Sequence, residues 1–415
     1  NELSIRFAHY YIELINNQNK DISLQLKYIN NIRKAWSILS QKQSLDRLEP
    51  VLARMEYLHT SAGQYAEAKD LWDESLENLA KLKEAKQKNR FMAAILNAKA
   101  DTSISMGKLT DAEQYLAECF NLLEPIQAPK QLTTALSSSA RLNWIQGSHS
   151  KAQKLLENAL TIAKDLDDAR QKTTIMHGLA IVLREQNKLS EAKHYYEQII
   201  AMYLASKEYS NAALAYNNLA SLKLSQGDIG AAQTDIKTGL ELIEGLGAKR
   251  TEVFLNMTYA GSLYESKDYS AALLAFEKCL ELTQALNDPI IICLALNMIA
   301  NSHIKLEDHQ RALKHLQKAL SLAWSIELLP RVLAIFLSFA KLAYQESRFE
   351  DCLRLIAQVI HNKASKEETK TEAIELKLRL EQKLEQPLDK KLKELSNNEI
   401  ESIIIDLLAK NSFIN

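Results

Sequence analysis

Apolar residues fall along this chain at helical spacing, in paired segments separated by short polar turns. Residues 178–200, GLAIVLREQNKLSEAKHYYEQII, show the unit. A first helix is predicted to end near Gln186, Asn187 and Lys188 turn the chain, and a second helix follows. Ser190 is placed to cap that second helix, with Leu189 before it as a hydrophobic anchor. Ala192 stands where two helices must come close, and Tyr196 and Ile199 continue the same face.

The unit recurs in three registers. Small residues stand at Ala68, Ala112, Ala152, Ala192, Ala232, Ala272, Ala312 and Cys352, the first gap being 44 residues and every later gap 40. A second register runs through Ala100, Ala140, Ala180, Ala220, Ala260, Ala300 and Ala340. A third marks the turns: Gly63, Gly107, Gly147, Asn187, Gly227, Lys267, Glu307 and Ser347. Repetition at a period of roughly 20–50 residues indicates a solenoid, in which one unit buries its apolar face only by stacking on its neighbours. The predicted fold is all-α, a stack of antiparallel helix pairs with a 40-residue period.

Around that stack the chain divides into four stretches. Residues 1–45 hold two amphipathic helices without the repeat's turn or alanine registers, the second with Leu24, Leu26, Ile29, Ile32, Ala35 and Trp36 available for packing. They are read as an N-terminal cap or adaptor. Residues 46–362 hold eight pairs: 46–82, 89–123, 130–165, 170–204, 210–244, 250–285, 290–325 and 330–362. Thr110 is expected to cap a second helix; Asn287, Asp288 and Pro289 form a stop and restart. Residues 363–386 are a charged capping helix with Ala373, Leu376 and Leu380 on one face. Residues 387–415 are a short helical tail behind Pro387, with Ser396 or Asn397 as a cap.

Composition supports this picture and narrows the function. Gly and Pro number 10 and 6 in 415 residues, and the abundant residues favour helix. Lys plus Arg is 51 against 52 for Asp plus Glu, a balance that gives no general reason to bind nucleic acid or an anionic membrane. No apolar run reaches membrane-spanning length and the N-terminus is not a signal peptide, so a cytoplasmic location is expected. The lack of an initiator Met fits a piece of a longer protein. Cys119, Cys279, Cys293 and Cys352 have no clustered spacing; small buried hydrophobes, not a disulfide or a metal site, are expected. No HExxH, nucleophile elbow, CxxC or Gly-rich phosphate loop is present, so neither an enzyme nor a cofactor is expected. The acidic pairs Asp167–Asp168 and Glu367–Glu368 are read as solvent-facing or capping. His59, His177 and His303 are too far apart for one metal and are read as packing groups, and His309 as solvent-facing.

The turn glycine, the aromatic before the second helix and the spaced small residues resemble tetratricopeptide repeats. Gly63–Tyr65–Ala68, Asp268–Tyr269–Ala272 and Phe349–Cys352 carry the resemblance best, over residues 46–362. The 40-residue period departs from the common 34 and implies longer helices. A narrower resemblance lies at the ends. RFAHYYIELINN at 6–17, LKYINNIRKAWSIL at 26–39 and the stretch 340–376 look like the repeat region of bacterial signal-transduction ATPases of the STAND type. The ATPase motif itself, GxxxxGK[ST], is absent here.

The tetratricopeptide resemblance implies a right-handed superhelical solenoid whose first helices line a concave face that takes a peptide or protein. By register that face is expected to expose Arg54, Tyr57, Asn97, Asp101, Arg141, Trp144, His177, Arg184, Asn217, Asn218, Tyr264, Asn297, Asn301, Ile304, Lys341 and Tyr344. Of these, Arg141, Arg184, Asn217, Asn218, Asn301, His177, Trp144 and Tyr264 are the candidate ligand-binding residues. Amides and guanidinium groups suit peptide backbone and carboxylates, and aromatic rings give apolar anchors. The bland reading of each is a local salt bridge, solvent exposure or, for Trp144, core packing. The STAND resemblance implies a ligand-sensing domain with its ATPase module on the same full-length chain. A constitutive scaffold with no ATPase partner is the alternative.

Overall fold

The turn register decides where the chain reverses. Gly63, Gly107, Gly147 and Gly227 have positive φ, and so do the non-glycine members Asn187 (φ 59), Lys267 (φ 64), Glu307 (φ 60) and Ser347 (φ 59). A left-handed residue ends a helix and lets two backbone bonds close its last turn. At Gly107 these are Lys108 N–H to Ser103 O (2.8 Å) and Gly107 N–H to Ile104 O (3.1 Å). The same pair recurs around Gly63, Asn187, Gly227, Lys267, Glu307 and Ser347.

The computed structural model describes residues 2–16, 22–42, 44–82, 86–166, 168–286, 288–395 and 400–409. They are all-α, with no strand among them. The N-terminal helices are α1 (Glu2–Asn16), α2 (Ile22–Lys27) and α3 (Ile29–Gln41), followed by the single turn α4 (Leu45–Leu48) and a 3₁₀ turn, Glu49–Val51. Consecutive antiparallel pairs follow: α5 (Leu52–Ala62) with α6 (Tyr65–Ala80), α7 (Lys86–Met106) with α8 (Leu109–Leu123), and α9 (Pro129–Ile145) with α10 (His149–Ala163). Next come α11 (Ala169–Glu185) with α12 (Leu189–Ala205), and α13 (Tyr209–Ser225) with α14 (Ile229–Ile243). The last three are α15 (Lys249–Glu265) with α16 (Tyr269–Leu286), α17 (Pro289–Lys305) with α18 (His309–Ser325), and α19 (Leu329–Gln345) with α20 (Phe349–His361). Helices α21 (Glu367–Leu384), α22 (Asp389–Leu395) and α23 (Ile400–Ala409) complete the described chain.

Helix starts differ from expectation. Ser190 and Thr110 lie inside α12 and α8, whose N-cap residues are Lys188 and Lys108, without a side-chain cap bond. The left-handed residue leaves room for only one residue before the next helix, so the cap falls earlier than those hydroxyls. Where that place holds an aspartate the cap is made: Asp228 accepts from Ala231 N–H (3.1 Å) and Asp308 from Arg311 N–H (3.1 Å). Asp288 caps α17 by accepting from Ile290 and Ile291 N–H. Asn287, Asp167, Ser396 and Asn397 lie outside the described residues.

The alanine registers form the seams. Every member of both is buried, Ala180 and Ala220 completely, because backbones this close leave no room for a longer side chain. Cys119, Cys279, Cys293 and Cys352 are buried free thiols, and burial pushes Cys119 and Cys352 up to about 12 and the other two up to about 11. They stay protonated and unreactive in these surroundings.

The chain folds as two compact units, Asn1–Trp144 with Ser150–Ile175, and Ile145–His149 with Met176–Asn415. In the first, α1 and α3 pack on pair one. Trp36 is fully buried edge-on to Trp72, with ring centroids 5.6 Å apart, and its Nε1–H donates to Ser75 Oγ (2.8 Å). Leu24, read as a packing residue, is 40% exposed because the chain breaks at Tyr28 between α2 and α3. In the second unit, pairs seven and eight share one core with α21, α22 and α23. Ala373, Leu376 and Leu380 of α21 are buried in it, as are Leu388, Leu392, Ile403, Ile404 and Leu407 beyond. No described helix is long and apolar enough to cross a membrane.

Candidate peptide-binding rows of first helices

The first helices α5, α7 and α9 place one polar group in the first unit. Asp101 is its centre. Its carboxylate accepts from Ser138 Oγ (2.7 Å) and Asn97 Nδ2 (3.2 Å) and pairs with Arg141 Nη1 (3.3 Å). Arg141 Nη2 also donates to Ser105 Oγ (3.0 Å). Burial, reinforced by the Asp101 charge and opposed by Arg141, pushes the Glu56 carboxyl up to about 8. The bonds of Ser138 and Arg141 join residues 36–40 apart in sequence, one repeat to the next. Trp144 closes α9 half-buried.

The second unit repeats the arrangement with other residues. Asn218 Nδ2–H donates to His177 Nε2 (2.8 Å), which assigns the ring proton to Nδ1 in the neutral form. Burial and then the Arg184 charge hold His177 below its ordinary value. For Arg184 burial works against the charge, but the hydrogen-bonded Glu185 (2.9 Å) outweighs it, and Tyr196 and Glu368 add to the effect. Asn301 Nδ2–H donates to Ser338 Oγ (3.1 Å). Tyr264 stacks edge-on against Tyr269, centroids 5.2 Å apart; burial, followed by Tyr269, Glu265 and Glu372, raises its hydroxyl.

The predicted exposure needs correction at four positions. Asn97, Asn297 and Asn301 are 5%, 6% and 8% exposed, and Ile304 belongs to the apolar core at 3%. Adjacent first helices pack tightly enough to shut these side chains between them. His309 is also half-buried, with its Nδ1 3.4 Å from Glu346. Glu367, in the first turn of α21, keeps 40% of its side chain exposed and lies beside the Gly147 turn.

Asn97, Asn217 and Asn297 form a further set, one that the residue spacing already contains. They are separated by multiples of the 40-residue period and hold one position on their helices. The amide oxygen of each is buried without a hydrogen-bond partner. A buried polar atom left this way is costly, and here the same unmet acceptor recurs in register. Ser105, Ser138 and Ser338, which tie the row together, carried no sequence signal beyond their spacing. Among the described residues no group of three or more His, Cys, Asp or Glu is placed to hold a metal.

Residues 131–205 and 295–323 match tetratricopeptide repeat models. Over these two stretches the chain carries tetratricopeptide repeats. No curated protein sequence matches it. Its helix pairs are similar to those of a Rap protein solved in complex with Competence and Sporulation Factor, with a TM-score of 0.58 and 13% identity over 85% of this chain and 94% of that one. They are also similar to NprR solved with its cognate peptide NprX, with a TM-score of 0.55 and 13% identity over 81% and 97%. A STAND protein with a tetratricopeptide repeat sensor from Pyrococcus horikoshii matches at a TM-score of 0.46 and 14% identity, over 80% of this chain and 55% of that one, too loose a likeness to bear on function. At these identities the likenesses establish the fold alone.

Proposed function

We propose that the first-helix rows bind an extended peptide or a peptide segment of a protein. The observation that carries this reading is the half-buried Asn217 amide, whose oxygen has no hydrogen-bond partner. A peptide backbone repeats its N–H donors along its length, and a carboxamide can accept one while its own N–H₂ donates to a carbonyl. In the second unit Asn217 supplies these groups, with the His177–Asn218 pair and Arg184 beside it in sequence register. In the first unit the exposed Arg141 and the half-buried Trp144 offer a guanidinium group and an aromatic face. The fold shared with NprR, solved with its cognate peptide, is consistent with this use.

At a finer level the chain is the ligand-sensing domain of a STAND-type regulatory or defence ATPase. That part rests on the sequence resemblance at residues 6–17, 26–39 and 340–376. Peptide binding would favour one of two states of the whole regulator, which requires tighter binding to that state. A P-loop module on the full-length gene product supports the sensor; its absence leaves a scaffold.

The binding test lets the protein select its own ligand. The chain is incubated with a peptide pool from its host and retained peptides are identified by mass spectrometry. Asn217→Ala, with wild-type helicity by circular dichroism, is expected to lose the peptides the wild type keeps. Retention of the same peptides by the variant would overturn this location.

A further inference from the structure

Helix α21 does not line up on α19 as a next repeat would. Near its N-terminus, Glu372 pairs with Lys341 Nζ at 2.5 Å, close to the end of α19. Three turns further on, Lys383 Nζ lies 5.3 Å from the Tyr344 ring centroid and 4.9 Å from that of Phe349, also at the end of α19 and the start of α20. Contacts spread this far along α21 but gathered at one end of α19 mean that α21 crosses it. Its first turn reaches the Gly147 turn. A Cβ on Gly147 would stand 3.5 Å from a Glu367 carboxylate oxygen. Glu368 and Glu372 act electrostatically on Arg184 and Tyr264. Gly147, Arg184, Tyr264 and Lys341 belong to four different pairs, all at or near the turn that ends a first helix.

The side of α21 turned to these groups is acidic, while Ala373, Leu376 and Leu380 anchor its other side in the core. The anchor fixes the helix and leaves the carboxylates of its first two turns in salt-screened, partly exposed pairs, which are weak and exchangeable. We propose that the start of α21 is an internal occupant of the first-helix row of the second unit, its Glu372 pairing with Lys341 and its Glu368 adding negative charge to that already beside Arg184, where an acidic peptide would otherwise bind. This deepens the peptide-binding reading and rests on it: the ligand class becomes acidic, and α21 becomes the element it must displace.

The test uses the full chain and a fluorescein-labelled polyglutamate peptide, with polylysine as control. Glu368→Gln/Glu372→Gln keeps shape and helix propensity while removing the two charges. It is expected to bind polyglutamate at least about tenfold more tightly than wild type, to ignore polylysine, and to show faster hydrogen exchange at 367–375. Adding Arg184→Ala/Lys341→Ala should abolish the gain. Equal affinity in wild type and the Gln variant, or binding by neither, would overturn the internal-occupant proposal. If Asn217→Ala still loses host peptides in that case, the peptide-binding reading survives alone.

Discussion

A side chain in left-handed backbone is strained, and this protein accepts that strain at Lys267, Glu307 and Ser347, where other repeats have glycine. Glu307→Gly and Ser347→Gly are therefore expected each to stabilise the chain by up to about 1 kcal/mol, after the added freedom of the unfolded chain is subtracted. Thermal denaturation reads this directly, and a lowered midpoint for both would contradict it. The seam alanines work in the opposite sense. Ala180→Leu and Ala220→Leu, at fully buried positions, should each cost roughly 1–3 kcal/mol by overpacking, measured by urea denaturation. Glu56 adds a pH dependence. Its carboxyl, raised from 4.5 to about 8, binds its proton more tightly folded than unfolded. Its contribution is present in full below 4.5, erodes above it, and is lost as pH rises through about 8. Between pH 6 and pH 9 wild type should thus lose more stability than Glu56→Gln; parallel profiles would show that Glu56 is not the group responsible.

At the scale of elements, hairpin geometry follows from one repeated turn, whereas repeat-to-repeat contacts depend on which polar side chains meet. Asn301 shows the difference. It stands on a first helix at a position expected to face a ligand, but its amide is already bonded to Ser338 of the next first helix. Asn301→Ala should cost about 1–3 kcal/mol of stability by leaving a buried group without its partner, and should leave peptide capture unchanged. Asn217→Ala should show the reverse, with little loss of stability and reduced capture, since its amide oxygen has no protein partner to lose. The sequence could not separate these two asparagines. Both sit in first helices near a seam alanine, and only the neighbouring repeat distinguishes them.

At the scale of the molecule, the C-terminal helices are part of the second unit's core, not a tail beside it. Leu388, Leu392, Ile403, Ile404 and Leu407 are all buried there, and Gln317 Nε2 donates to Leu407 O (3.0 Å). A chain ending at Gln386 should lose about 1.5–3 kcal/mol for each such side chain that packed on what remains, with increased binding of a hydrophobic dye; unchanged dye binding and stability would refute that integration. The sequence alone determined the helix pairs, their 40-residue period, the positions of the turns and the alanine seams. Each of these depends on residues a few positions apart, where helical spacing and turn geometry act directly. It also grouped the first-helix positions into one phase of the repeat, buried and exposed members together. Only the tertiary structure decided which row residues are shut between helices, which amide oxygens lack partners, and where α21 lies. Glu367 meets the Gly147 turn across most of the second unit's length of chain. Such a meeting depends on small rotations summed over several hairpins and on a crossing angle set by packing, and no local pattern of residues encodes either.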